Sequence, residues 1–307
     1  MADRIASLLP SATEIVCGLG LAERIVGVSH ECDFPAAIVG RPILTEPKLD
    51  PRGTSMEIDT AVRQLVRDGL SVYRIREVEL RAVKPDLIVT QEHCEVCAVS
   101  FTEVQKAVRE WLAPSTEIVS LKPNRLADVL QDFVRVAEAA GVGDAGVELV
   151  RSCRERLDHL RAGAAKVRSR PRVACIEWME PLMVAGNWIP ELVEIGGGTY
   201  DLVAAGEHSP PISWQQLVDY APDVVVVMPC GFKLDQTRRE LERLTQREEW
   251  RILPAVRNQR VYSADGNAYF NRPGPRIVDS AELLAGLMQP GYFADLVPAG
   301  SWERVPS

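Results

Sequence analysis

The 307-residue chain predicts an α/β protein of two Rossmann-like lobes with mainly parallel sheets, joined by one long backbone helix, with a ligand cleft between the lobes. Three observations carry that expectation. The stretches "ELRAVKPDLIVTQEHC" (Glu79–Cys94) and "QLVDYAPDVVVVMPCG" (Gln216–Gly231) share one plan: a short amphipathic helix ends at Pro-Asp and a continuous apolar run follows. Runs such as "DLIVT" and "DVVVVM" read as strands covered on both faces, as in a parallel sheet. Strand and helix patterns alternate in both halves, which argues for two α/β lobes. The segment between the halves carries one long helical stripe. The expected division is 1–124 for the first lobe, 125–170 for a helical linker with its long helix over 144–168, and 171–307 for the second lobe.

Taken in order, "RIASL" is a strand, "PSATEIVCGLG" a helix ending in glycine, and "RIVGVS" the next strand. After "DLIVT" come the helix "FTEVQKAVREWL" and the strand "EIVSL" (Glu117–Leu121). The linker "DAGVELVRSCRERLDHLRAGAAKVRS" (Asp144–Ser169) places Val147, Val150, Cys153, Leu157, Leu160, Ala164 and Val167 three and four apart, one face of a helix. Asp144 is its expected N-cap, and Pro171 lies just beyond its basic end. About 25 residues at ~1.5 Å make a rod of roughly 37 Å, stiff where a hinge would be rich in Gly or Ser. The second lobe opens on the strand "RVACI" and a helix closed by "GGGT" (Gly196–Thr199) as its C-cap. It continues with "DVVVVM", the helix "TRRELERLTQREEW", the strand "RVYSA" (Arg260–Ala264) and a final helix.

Composition narrows the function. The chain is 46% hydrophobic and 25% charged, ordinary for a globular protein. Its charge is 35 − 43 = −8 with no long basic run, so nucleic acid is a poor partner. No apolar stretch reaches the ~18 residues of a membrane helix. The opening lacks a charged region leading into an apolar one, and seven cysteines, an odd number, are scattered through both halves. Both features lead to the expectation of a reducing, cytosolic location. No P-loop, no Gly-x-Gly-x-x-Gly after a strand and no Ser-His-Asp arrangement is evident, so the chain reads more as a binder than as an enzyme.

Ligands of open parallel sheets sit at the carboxyl ends of the strands, and the unusual residues gather there. His30, Glu31 and Cys32 follow "RIVGVS". Gln91, Glu92, His93, Cys94 and Cys97 follow "DLIVT". Glu177 and Trp178 follow "RVACI", with Asn187 and Trp188 a little later. Asn267, Tyr269, Phe270 and Arg272 follow "RVYSA". His93, Cys94 and Cys97, between a strand and a helix, admit four readings. One is contact with a metal or metal chelate, soft ligands suiting zinc, copper(I), iron or cobalt. A second is a redox dithiol. A third is a structural zinc site completed by His30 and Cys32. The fourth is a pair of small buried thiols. Cys17, Cys153 and Cys175 read as core, His159 as the polar side of the rod, and His208 as loop surface.

The segments "RIASLLPSATEIVCGLGLAERIVGVS", "LRAVKPDLIVTQ", the linker rod and "DGNAYFNRPGPRIVDSAELLAGL" cover Arg4 to Met288. Together they resemble the helical-backbone (class III) substrate-binding proteins, which deliver cobalamin, iron–siderophores, haem and metal ions to ABC importers, and in particular their cobalamin-binding branch. The resemblance implies a ligand held between lobes with little closure, a transporter permease as partner, and a periplasmic location in that family. It implies ligand walls at Gln91–Cys97, Glu177–Trp188 and Tyr269–Arg272. Two features depart from the family: the opening shows no export signal or lipoprotein cysteine, and "HEC" and "HCEVC" are unusually rich in metal ligands. The expected function is therefore a cytosolic binding protein for a corrinoid such as cobalamin, or another metal chelate, with zinc or iron as other metals for His30, His93, Cys94 and Cys97. The alternatives are a cytosolic metalloenzyme or thiol redox protein using the His-Cys-x-x-Cys loop, and the substrate-binding subunit of an ABC importer.

Overall fold

The computed structural model describes residues 2–67, 72–91 and 100–306, which fall into two compact units. Unit 1 comprises Met1–Gly53, Glu57–Pro123 and Ala127–Ser152; unit 2 comprises Thr54–Met56, Asn124–Leu126 and Cys153–Ser307.

Unit 1 runs β1 (Ile5–Ser7), α1 (Pro10–Gly18), β2 (Ile25–Val28), β3 (Thr45–Pro47), α2 (Ser55–Arg67), β4 (Tyr73–Ile75), α3 (Glu77–Val83), β5 (Leu87–Gln91), α4 (Phe101–Trp111), β6 (Glu117–Leu121) and α5 (Leu126–Ala139). Its main sheet has the order β2-β1-β5-β6, with all pairs parallel. Every residue of β5 is buried, apolar Leu87–Val89 and polar Thr90 and Gln91 alike, as in a strand covered on both faces. On one face Ala6, Leu8 and Ile88 pack with Leu80, Val104 and Ala107 of the flanking helices. A separate antiparallel pair joins β3 to β4.

Helix α6 (Gly143–Ala164) starts in unit 1 and ends in unit 2, and its 22 residues give a length of about 33 Å. Asp144 lies inside its first turn, and the helix ends before Val167. Val150, Cys153, Leu157, Leu160 and Ala164 are buried, but Val147 is 61% exposed. At ~100° per residue, Val147 points about 80° away from Leu157, so a stripe of threes and fours drifts off the packed face at its start. Within unit 1, Gly146 lets α6 approach Ala137 of α5; within unit 2, Gly163 lies against the Phe293 ring.

Unit 2 runs β7 (Val173–Trp178), β8 (Met183–Val184), α7 (Ile189–Ile195), α8 (Trp214–Tyr220), β9 (Val224–Val227), α9 (Leu234–Glu240), α10 (Glu242–Thr245), α11 (Glu248–Arg251), α12 (Pro254–Arg257), β10 (Val261–Ala264), α13 (Ile277–Met288), α14 (Pro290–Phe293) and β11 (Trp302–Arg304). The sheet order is β11-β10-β9-β7-β8; the three central strands are parallel and both edges antiparallel. The single helix expected over "TRRELERLTQREEW" is three short ones. Arg247 is extended and redirects the chain so that Trp250 is buried. Gly196 caps α7 and Gly197 adopts φ +86°, the left-handed conformation that glycine takes at helix ends.

The repeated Pro-Asp has the same cause in both units. Helix α3 closes on left-handed Lys84 before Pro85, and α8 on left-handed Ala221 before Pro222. Proline disfavours a helical conformation in the residue before it, so the chain leaves the helix there. The aspartate then accepts backbone N–H bonds from the neighbouring strand's start: Asp86 from Asp3 and Arg4, both at 3.0 Å, and Asp223 from Arg172 at 2.9 Å. No described helix is long and apolar enough to cross a membrane.

Candidate functional site

In unit 2 the carboxyl ends of β7, β9 and β10 lie side by side, and their loops are bonded to one another. The Cys230 N–H donates to the Glu177 carbonyl at 3.1 Å, and the Asn267 N–H to the Phe232 carbonyl at 3.0 Å. Asp265 shapes the third loop: its carboxylate accepts the N–H groups of Asn267 and Ala268 at 3.0 and 2.8 Å. Gly266 is required here, because a Cβ would run into the Pro229 carbonyl. The half-buried Trp178 packs edge-on against buried Phe232, with centroids 5.2 Å apart, and its indole N–H donates to the Ser55 carbonyl at 3.2 Å. Ser209 donates to the Glu177 carboxylate at 2.8 Å. Tyr269 is half-buried and carries the Arg276 guanidinium over its ring at 5.8 Å. The result is a platform of Trp178, Cys230, Asn267, Tyr269 and Arg276, all partly open to solvent.

Several expectations for this unit are corrected. Glu177 and Trp178 are the last residues of β7, not of a loop. Trp188 is 5% exposed and donates its indole N–H to the Phe270 carbonyl at 2.8 Å; Phe270 is fully buried. Both aromatic rings fill the interior beneath the platform rather than facing outward. Arg272, 6% exposed, donates to Asn267 Oδ1 at 3.0 Å and so orients that side chain. Asn187 takes φ +51°, and its buried Oδ1 has no partner among the described residues.

In unit 1 the carboxyl end of β2 carries His30, Glu31 and Cys32. Thr45 of β3 is the hub: its hydroxyl donates to Ser29 Oγ at 2.9 Å, accepts the His30 N–H at 3.1 Å and meets His30 Nδ1 at 2.7 Å. The imidazole packs edge-on against Tyr73 of β4, centroids 4.9 Å apart, and Tyr73 donates its hydroxyl to Glu31 at 2.6 Å. Burial lowers the His30 pKa, opposed by the charge of Glu46. A second chain runs inward: Ser7 Oγ donates to the Leu9 carbonyl at 3.1 Å, Thr13 Oγ1 to Ser7 at 2.7 Å, and Cys32 Sγ lies 3.1 Å from Thr13 Oγ1. Ser7 and Thr13 each have one hydroxyl hydrogen, both committed, so the Cys32 thiol is the donor to Thr13.

Gln91 ends β5 and is buried. Glu92, His93, Cys94 and Cys97 lie outside the described residues. Among the described residues no group of three or more His, Cys, Asp or Glu side chains is placed to hold a metal ion. Cys153 and Cys175 are buried as expected, and burial pushes the Cys153 thiol up to about 11. Cys17, expected in the core, is partly exposed. Tyr73 and Thr45 were not singled out from sequence. Both sit on three-residue strands too short for a periodic signal.

The chain is 22% identical over 293 residues to the vitamin B12-binding protein of Vibrio cholerae serotype O1, covering 92% of this chain and 88% of that protein. It is 21% identical over 304 residues to an uncharacterised ABC transporter substrate-binding lipoprotein of Bacillus subtilis, covering 95% and 82%. Among solved structures, a periplasmic heme-binding protein from Pseudomonas aeruginosa superposes with TM-score 0.70 at 20% identity, covering 95% of this chain and 94% of that one. The periplasmic vitamin B12-binding protein of Vibrio cholerae superposes with TM-score 0.65 at 20% identity, covering 94% and 97%. These structural likenesses establish the fold. The model of the periplasmic binding protein family matches residues 5–268, and with two α/β units and the long helix α6 in place, the chain belongs to that family.

Proposed function

We propose that this chain is a binding protein for a corrinoid or a related metal chelate such as haem, acting as the substrate-binding subunit of an ABC importer. The observation that carries this reading is the unit 2 platform. Trp178 and Tyr269 offer aromatic faces, while Asn267, oriented by buried Arg272, and Arg276 offer polar contacts at its edge. A large, mostly apolar macrocycle with polar substituents fits such a lining, since ligand sites combine apolar walls with a few placed polar groups. The names of the B12-binding and heme-binding relatives support the same class. His93, Cys94 and Cys97 remain sequence-based contributors to the same ligand. The importer reading requires the protein on the face of the membrane from which substrate is taken, whereas a carrier acting alone would work in the cytosol; cell fractionation separates the two.

Optical titration with aquocobalamin, hemin and a ferric siderophore tests the function. One of the first two is expected to give a saturable spectral change at one equivalent, and Tyr269→Ala to weaken it at least about tenfold without loss of fold, as removal of a central aromatic contact does. Failure of both macrocycles to bind overturns the reading.

A further inference from the structure

The polar groups around Trp178 close into a ring within unit 2. The indole N–H donates to the Ser55 carbonyl at 3.2 Å. Ser55 is fully buried and belongs to Thr54–Met56, which folds as part of unit 2. Its N–H and its hydroxyl both donate to Glu240 Oε2 at 3.0 Å. The same oxygen accepts the Arg243 Nε–H at 2.7 Å, and Arg243 Nη1 donates to the Glu180 carboxylate. Glu180 follows shortly after Trp178, so the path Trp178–Ser55–Glu240–Arg243–Glu180 returns to the segment it left. Glu240 ends α9 and is 9% exposed, and three donors converge on its one oxygen. Hydrogen bonds to an ionised acceptor are stronger than neutral ones, and a carboxylate so nearly dry is costly unless it is paired in this way.

We propose that Glu240 is a positioning residue for the ligand wall of unit 2: through Ser55 it fixes the Trp178 indole in the orientation that receives the ligand, and Arg243 closes the ring. What the wall receives rests on the macrocycle reading above; the fixing of the indole does not. An indole has one polar handle. Here that N–H is held by the Ser55 carbonyl, and the ring by the edge of Phe232. The carbonyl is held in turn, because its residue is bonded to Glu240 at both the N–H and the hydroxyl. A wall ordered in the free protein removes the entropy loss of ordering it on binding, which for one side chain corresponds to roughly two- to tenfold in affinity.

The test begins without ligand, on protein carrying 15N-tryptophan. The chain has six tryptophans, and Trp178→Phe assigns the indole signal of interest. Glu240→Ala should speed hydrogen exchange at the Trp178 indole at least about tenfold. The Trp188 indole, bonded to the Phe270 carbonyl, should keep its rate and serves as the internal control. Glu240→Gln, which keeps an acceptor oxygen, should retain most of the protection. Ser55→Ala, which removes one of the two bonds to Glu240, should give a smaller change in the same direction and carries the test if Glu240→Ala folds poorly. Binding is then titrated with hemin and with aquocobalamin. Glu240→Ala should weaken the probe that binds by roughly two- to tenfold, and should cost nothing further in a Trp178→Ala background. An indole that exchanges at the same rate in wild type, Glu240→Ala and Ser55→Ala overturns the positioning role and leaves the function standing. An equal loss of affinity with and without Trp178 also overturns it, because Glu240 would then act by another route. If neither probe binds, the role in ligand binding falls with the function it rests on, whatever the exchange rates show.

Discussion

Asp132 of α5 is the clearest acid whose burial is not matched by full pairing. It is 3% exposed, and Arg135 donates to it at 2.7 Å. Burial, helped by the charge of Asp128, outweighs Arg135 and the Lys122 backbone N–H and pushes its pKa up to about 6. The folded state therefore holds this proton more tightly than the unfolded chain. Its contribution to stability is full below the ordinary carboxylate range and is lost as pH rises through about 6. The shift of about two units corresponds to at most roughly 3 kcal/mol. Asp132→Asn removes the titration, so its stability relative to wild type should rise between pH 4.5 and 7, read from urea unfolding at the two values; an unchanged difference would mean that the carboxylate is solvated. The sequence offers no hint of this group, because an aspartate three residues before an arginine on a helix reads as a surface pair. The same limit explains Trp188: a tryptophan between Asn and a Pro-containing helix start reads as a binding wall, and only the structure shows that it is interior, 5% exposed and bonded to the Phe270 carbonyl.

At the scale of elements, legibility followed burial on both faces. β9 and the first three residues of β5 are apolar runs buried throughout, and the Pro-Asp before each is visible because it both stops a helix and ties a neighbouring strand. The antiparallel edges β8 and β11, two and three residues long, carry no period that a sequence could display. Helix α6 was readable for the opposite reason, its buried stripe from Val150 to Ala164 persisting for about four turns. The stripe also makes a quantitative demand. Leu157 is 1% exposed near the middle of α6, so Leu157→Ala should cost about 2–5 kcal/mol through lost burial and the cavity left behind. Arg156, next to it, bonds Asp279 at 2.6 Å and Glu282 of α13. These partly exposed ion pairs contribute less than the leucine. A loss below about 0.5 kcal/mol in denaturant unfolding of Leu157→Ala would place the load on the pairs instead.

For the whole molecule, the two units differ in what they can give a ligand, and that difference can be measured without any ligand structure. Unit 2 presents a bonded aromatic–polar platform; unit 1 presents one oriented imidazole at the end of β2. A ligand that binds only the folded state stabilises it by about 2.7 kcal/mol at a hundred times its Kd. That stabilisation goes to whichever unit must remain folded for the contact to persist. A chelate that binds the platform should, at saturation, raise the unfolding temperature of unit 2 in calorimetry. Tyr269→Ala should reduce that shift at the same ligand concentration, because the variant binds more weakly. A chelate that stabilises wild type and Tyr269→Ala equally would show that its contact with unit 2 runs through other residues.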